Sequence, residues 1–196
     1  AITAIVNALG VIPSAGVGVA EKICGFILMV PSAYMQAMSA FVAQNMGAGR
    51  PDRAKKALIG AISTSLAVGV ILSYFSFFHG GLLAQLFARD AAVIAAAAEY
   101  LKAYAVDCLL VSFLFCIIGY FNGCGRTAFV MIQGIAGAFL VRISVSWMMS
   151  RVQPVSLFGV GLATPASTVV QLLLCAGYFV WMHHREKKMP AVPFVV

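Results

Sequence analysis

The feature that most constrains this chain is a series of apolar runs, each long enough to cross a lipid bilayer. A helix needs about 20 mostly apolar residues to span the hydrocarbon layer. Residues 23–49, 57–78 and 155–182 meet that length without a charged side chain, and 127–150 carries only Arg142. A fifth run, 91–122, is also long enough but holds Glu99, Lys102 and Asp107. Residues 1–9 are apolar too and read as the tail of a further helix, so residues are expected to be missing before Ala1. The opening residues carry no basic leader or small-residue cleavage site and are not expected to be a signal peptide. Apolar content on all sides of these runs, rather than along one stripe, fits helices bundled in a membrane.

Composition removes the competing classes. Charged residues are 10 % of the 196, against 62 % hydrophobic, where a soluble domain carries about 25 % charge. Disordered chains are polar and poor in aromatics, which this one is not. The net charge of +7 does not indicate a nucleic-acid binder, because the cations punctuate apolar runs instead of forming one polar patch. The fold class is therefore all-α integral membrane.

Glycine and proline divide the runs. Gly10 to Ser14 is a tight connection in which Ser14 is expected to cap the next helix. Gly47-Ala48-Gly49-Arg50-Pro51-Asp52 pairs helix-ending glycines with a helix-starting proline. His79-Gly80-Gly81 ends the next run, and residues 82–90 read as a short interfacial segment. Asn122-Gly123-Cys124-Gly125-Arg126 is a second glycine turn, and Gln153-Pro154 a third break. Helices are predicted over about 1–10, 15–47, 53–78, 91–122, 127–150 and 157–184. Pro31 and Pro165 fall inside them, where neighbours must satisfy the freed carbonyls. The turns at 45–50 and 122–126 resemble each other and hint at a repeat, although their asparagines are offset by one residue.

Orientation follows from the cations. The loops after the second, fourth and sixth helices share a side and carry Arg50, Arg53, Lys55, Lys56, Arg126, Arg185, Lys187 and Lys188. The opposite loops hold Arg89 and Arg151, with Lys22 and Lys102 just inside their helices. The richer side, and with it the C-terminus, is expected to be cytoplasmic.

No hydrolase, kinase or metalloprotease signature is present, and the lone Gly-x-Gly pairs at Gly16 and Gly159 lack the strand and further glycine of a dinucleotide loop. The reading is a non-enzyme without a cofactor. Five cysteines suggest no disulfide framework; Cys108, Cys116 and Cys124 recur every eight residues and read as small buried hydrophobes rather than a metal stripe. His183-His184 reads as a solvated flank. Gly119 and Gly123, four apart, let two helices approach closely.

Intramembrane charge is what stands out, because it is costly and marks pathways or pairs. Glu21 and Lys22 are adjacent and point about 100° apart. Glu99 and Lys102, three apart, are expected to pair on one face. Asp107 and Arg142 each lie about 17 residues from the turn between their helices, so both sit roughly 25 Å along them, at matching depth. Two readings of Asp107 stand side by side: a buried ion pair with Arg142, or an acid that titrates or binds a cation. Asn7, Tyr34, Gln36, Gln44, Tyr104 and Gln133 are candidates to line a cavity, with Thr164 and Gln171 also at membrane depth. Met29, Met35, Met38 and Phe41 would give that cavity an adaptable wall for apolar cations.

The runs Val6-Asn7-Ala8-Leu9-Gly10, Gly18-Val19-Ala20-Glu21-Lys22, Pro31 and, above all, Ala43-Gln44-Asn45-Met46-Gly47-Ala48-Gly49-Arg50-Pro51 resemble the multidrug and toxic compound extrusion (MATE) transporters. Tyr100-Leu101, Gly119-Tyr120-Phe121-Asn122-Gly123-Cys124-Gly125 and Gly161-Leu162-Ala163-Thr164-Pro165 look like later helices of that family. The resemblance matches a second half, helices seven to twelve, with most of helix seven missing. It implies a six-helix lobe of a twelve-helix, two-lobe antiporter of the plasma membrane that exports small cationic amphiphiles in exchange for Na+ or H+. The partners it implies are membrane lipid and an N-terminal lobe absent from this chain. It also implies Asp107 as the coupling candidate, since some members place acids on the first and fourth helices of this lobe; the visible tail of the first offers only Asn7. A flippase of lipid-linked oligosaccharide from the wider superfamily, which would use Arg142 and Lys22, and a non-transporting membrane scaffold are the alternatives.

Overall fold

The computed structural model describes residues 6–7, 10–151 and 156–188. Of the expected first helix it describes Val6 and Asn7, both helical; the Gln153-Pro154 turn lies outside the described residues. Among those residues every regular element is a helix. They are α1 (Val11–Gly47), α2 (Pro51–Phe78), α3 (Gly80–Gln85), α4 (Ala91–Gly123), α5 (Thr127–Ile135), a π-helical segment (Ala136–Arg142), α6 (Ile143–Arg151), α7 (Leu157–Gly161) and α8 (Ala163–Lys188). Five stretches are long and apolar enough to cross a membrane: α1, α2, α4, Thr127–Met149 and Leu157–Met182.

Several boundaries differ from those expected. The first complete helix starts at Val11, not 15, because Gly10 at φ +114° makes the turn. Pro13 is tolerated in the first turn, where its missing N–H would have no helical acceptor. Ser14 therefore does not cap the helix; its Oγ donates to Asn7 Oδ1. The next helix starts at Pro51, not 53, with proline in its favoured first position. The fifth span is not one α-helix but α5, the π segment and α6, and the sixth is broken at Leu162 between α7 and α8. Pro165 consequently sits in the first turn of α8, where it costs little, while Pro31 is buried inside α1.

The lobe is organised around α4. Of its most apolar eighteen residues 61 % are buried, against 39 % or less in the other four spans. One cluster of buried side chains gathers Val17, Ile23 and Ile27 of α1 with Tyr100, Leu101 and Tyr104 of α4 and Leu157 and Val160 of α7. A second, nearer the basic end, gathers Met38 and Val42 with Tyr120, Phe121 and Cys175. Cys108 belongs to the first and Cys116 to the second, and among the described residues no three His, Cys, Asp or Glu side chains come together to hold a metal.

Helices in lipid are drawn together by close packing rather than by a hydrophobic drive, so small residues mark their interfaces. A Cβ on Gly119 would stand 2.5 Å from the Met35 carbonyl, and one on Gly123 2.6 Å from Val42 Cβ. At the other end Gly16 of α1 lies against Ala96 of α4, where an added Cβ would come within 2.5 Å of the alanine methyl. The paired numbers rise together along both helices, so α1 and α4 run parallel. Their glycine turns match as well. Arg50 N–H donates to Asn45 O at 2.8 Å and Arg126 N–H to Phe121 O at 2.9 Å, around Gly49 and Gly125 in the left-handed region. The two Gly-x-Gly-Arg runs superpose without the one-residue offset of their asparagines.

Gly119→Leu and Gly123→Val are expected to destabilise the lobe by about 1–3 kcal/mol each through overpacking. Gly60→Ala, whose Cβ meets nothing within 4 Å, should be neutral or mildly stabilising. Thermal unfolding in detergent compares the three, and equal effects would contradict the packing described.

Candidate functional site

Above the α1–α4 glycine contact, α1, α4, the fifth span and α8 line a half-open cavity of about 460 Å³. Its walls are Glu21, Cys24 and Leu28 of α1, Tyr100, Tyr104 and Asp107 of α4, Gln133 and Arg142 of the fifth span, and Thr164, Ser167, Thr168 and Gln171 of α8. Asp107 and Arg142, expected at matching depth, do share this cavity.

They are not joined as an ion pair. Asp107 is 1 % exposed, and its Oδ1 accepts a hydrogen bond from Thr168 Oγ1 at 2.6 Å. Arg142 Nε is buried without a hydrogen-bond partner. The closed Asp107–Arg142 pair anticipated as one reading is therefore corrected: the hydroxyl of Thr168 takes the place expected of the guanidinium. The Glu99–Lys102 pair does not form either. Glu99 Oε1 instead accepts from Ser156 Oγ at 2.7 Å and Phe158 N at 3.3 Å, and so caps the start of α7, whose amides have no helical acceptor. Lys102 is exposed.

The backbone departs from α-helix where the site needs it. Gln133 and Arg142, nine residues apart, would point about 180° apart in a continuous α-helix, yet both line the cavity. The π segment between them rewinds the helix, a common device at functional sites. Its Gly137 carbonyl accepts from Ser167 Oγ at 2.8 Å, and Ser167 Oγ accepts in turn from Gln171 Nε2 at 3.2 Å. Gly137 leaves room for the Gln171 side chain, whose amide would stand 2.5 Å from a Cβ added there and would have to move. Gln133 is 2 % exposed with its Oε1 unpaired.

The other candidates fall elsewhere. Tyr104 and Gln133 line the cavity; Asn7, Tyr34, Gln36 and Gln44 do not. The lining stripe of α1 is Glu21, Cys24, Gly25 and Leu28, and the contact of Gly119 with Met35 closes the groove before residue 36 is reached. Gln36 and Gln44 stand on the exposed face of α1. Lys22 is exposed and points away, whereas Glu21 faces the cavity. No methionine lines it: Met29 is exposed, Met38 packs in the basic-end cluster, and Phe115 is the phenylalanine of the wall. Gln44, Asn45, Gly47, Ala48, Gly49 and Arg50 build the turn after α1, in which Asn45 Nδ2 donates to Phe41 O at 2.7 Å. His183 lies outside the described side chains. The sequence reading names Thr164 and Gln171 but not Ser167 and Thr168; the spacing 164, 167/168, 171 is a polar helical stripe that would have found them.

With that geometry established, known proteins show what the chain is similar to. The MatE family model matches residues 1–148. Protein DETOXIFICATION 20 of Arabidopsis thaliana is 28 % identical over 153 residues, 74 % of this chain and 31 % of its own length. The probable multidrug resistance protein YoeA of Bacillus subtilis (strain 168) is 25 % identical over 183 residues, 92 % of this chain and 40 % of its own. A solved MOP superfamily transporter from Pyrococcus furiosus superposes with a TM-score of 0.82 at 20 % identity, covering 91 % of this chain and 39 % of that one. The chain thus spans about a third of the length of the curated relatives it matches.

Ser167→Ala leaves the Gly137 carbonyl without its cross-helix donor and is expected to cost about 1–3 kcal/mol. Ser63→Ala removes only a bond to its own helix, from Ser63 Oγ to Ile59 O at an exposed position, and should be near neutral. Thermal unfolding of both variants measures the difference; a silent Ser167→Ala would show that the π segment needs no support from α8.

Proposed function

The chain belongs to the MatE family, and on that premise we propose that it forms one lobe of a secondary antiporter exporting small cationic amphiphiles in exchange for Na+ or H+. Membership makes it part of a multi-pass membrane transporter. The exchange mode, the cationic substrates, the plasma membrane and the cytoplasmic C-terminus are our reading. One observation carries it: a buried carboxyl group, Asp107, stands in a cavity at membrane depth, hydrogen-bonded to a neutral hydroxyl rather than to the arginine that shares the cavity.

An acid that is costly to bury uncompensated is one whose occupancy by a proton or Na+ has energetic consequence. Asp107 is the coupling residue in this reading. Thr168 fixes the carboxylate orientation, and the π segment holds Arg142 at the wall of the same cavity without pairing it to Asp107. Glu21 adds a second acid to the wall. The exposed polar residues Gln36 and Gln44 on α1 fit the wall of a larger cavity shared with an N-terminal lobe. The cationic lobe end, carrying Arg50, Arg53, Lys56 and Arg126 at exposed positions, supports the cytoplasmic orientation.

A second reading, transport of an anionic lipid-linked headgroup, is favoured by the unpaired Arg142 Nε at the cavity. Export measured in the full-length transporter separates the two. For the antiporter, Asp107→Asn and the double variant Asp107→Asn/Arg142→Gln fold but lose gradient-driven export of a cationic dye, while Arg142→Gln alone keeps it at reduced rate. For the anionic substrate, Arg142→Gln abolishes transport and Asp107→Asn spares it. Normal ion-driven dye export by the double variant would show that Asp107 is structural.

A further inference from the structure

Two carboxyl groups of α4 accept hydrogen bonds from the sixth span. Glu99 Oε1 accepts from Ser156 Oγ at 2.7 Å and Phe158 N at 3.3 Å, and Asp107 Oδ1 from Thr168 Oγ1 at 2.6 Å. The paired numbers rise together, so α4 and the sixth span run parallel, tied at two levels about 12 Å apart along α4. We propose that Glu99 is a positioning residue for Asp107: its hold on α7 keeps α8 in the register at which Thr168 gives its proton to the Asp107 carboxyl.

Two observations carry this. First, a row of hydrogen bonds leads from the Glu99 tie into α8. Phe158 N–H donates to Glu99, Leu162 N–H to Phe158 O at 3.0 Å, and Ala166 N–H to Leu162 O at 3.1 Å. The row bridges the break between α7 and α8 beside Pro165, whose missing N–H leaves the Gly161 carbonyl without its helical donor. At that break Gly161 lies close on α4, where an added Cβ would stand 2.9 Å from Ala103 Cβ. This contact sets how nearly the helices approach, whereas the directional bonds at Glu99 set the position of the sixth span along α4. Second, Thr168 has two acceptors for one hydroxyl proton: Asp107 Oδ1 at 2.6 Å and Thr164 O of its own helix at 3.1 Å. A displacement of α8 that lengthens the first contact leaves the second intact, because Thr164 moves with Thr168. Thr168 stays satisfied either way, so the bond to Asp107 depends on where α8 is held.

The bearing of this register on export rests on Asp107 being the coupling residue, but the register itself is read from stability, so the two fail separately. The coupling between Asp107 and Thr168 would be obtained from thermal unfolding of the full-length transporter, by a double-mutant cycle of Asp107→Asn and Thr168→Val. The cycle would then be repeated with Glu99→Leu, Glu99→Gln, Ser156→Ala and Ser63→Ala in the background. Glu99→Leu should lower the coupling to about half or less. Ser156→Ala, which removes the shorter bond to Glu99, should lower it in the same sense. Glu99→Gln, which keeps an Oε1 acceptor, should preserve it, as should Ser63→Ala on α2. A cap that only stabilises α7 would lower every midpoint alike and leave the coupling unchanged. An unchanged coupling in Glu99→Leu or, if that variant does not fold, in Ser156→Ala would overturn the proposal. So would equal losses in Glu99→Leu and Glu99→Gln, or an equal fall in Ser63→Ala.

Discussion

The close contact of α1 with α4 is the constraint on which the rest of the lobe depends. With no side chain at Gly119 and Gly123, the two helices meet backbone to side chain near the basic end. This contact fixes them as a parallel pair and closes the groove between them at Met35. The cavity begins beyond that point, where Glu21, Cys24 and Leu28 of α1 line it beside Tyr104 and Asp107 of α4, and the contact of Gly16 with Ala96 holds the same two helices together at the other end. A larger residue at either glycine would move the floor of the cavity as well as the helices.

The second organising principle is that backbone groups inside a membrane must find partners within the protein. The two irregular spans solve this together. The π segment of the fifth span offers the Gly137 carbonyl, and Ser167 of α8 meets it; α7 begins after a break, and Glu99 of α4 caps it. These departures bring Gln133 and Arg142 onto one face and place Thr168 opposite Asp107. Polar side chains in this lobe therefore do two jobs, satisfying displaced backbone and furnishing the cavity.

The number of spans, their rough limits, the close approach at Gly119 and Gly123 and the shared depth of Asp107 and Arg142 were legible in the sequence, because each follows from hydropathy, small residues or rise per residue. The partners of those charges were not. A three-residue spacing predicts Glu99 with Lys102, but the orphan amides of α7, distant in sequence, are the better acceptor problem to solve. Arg142 was placed by its depth, and its face could not be read, since arithmetic on 3.6 residues per turn fails across a π segment. Gln36 and Gln44 were polar at membrane depth, yet their phase on α1 and the seal at Met35 put them outside the lobe's own cavity.

Whether Asp107 answers to Thr168 rather than to Arg142 is the central claim, and paired double-mutant cycles on stability test it most directly. Thermal unfolding of the full-length transporter without substrate would be measured for Asp107→Asn combined with Thr168→Val, and for Asp107→Asn combined with Arg142→Gln, each beside its single variants. The account predicts a coupling of about 1.5–3 kcal/mol between Asp107 and Thr168, the range for a hydrogen bond to a charged group, and a markedly smaller one with Arg142. A coupling of about 3–5 kcal/mol with Arg142, the size of a broken buried ion pair, beside little with Thr168, would contradict it.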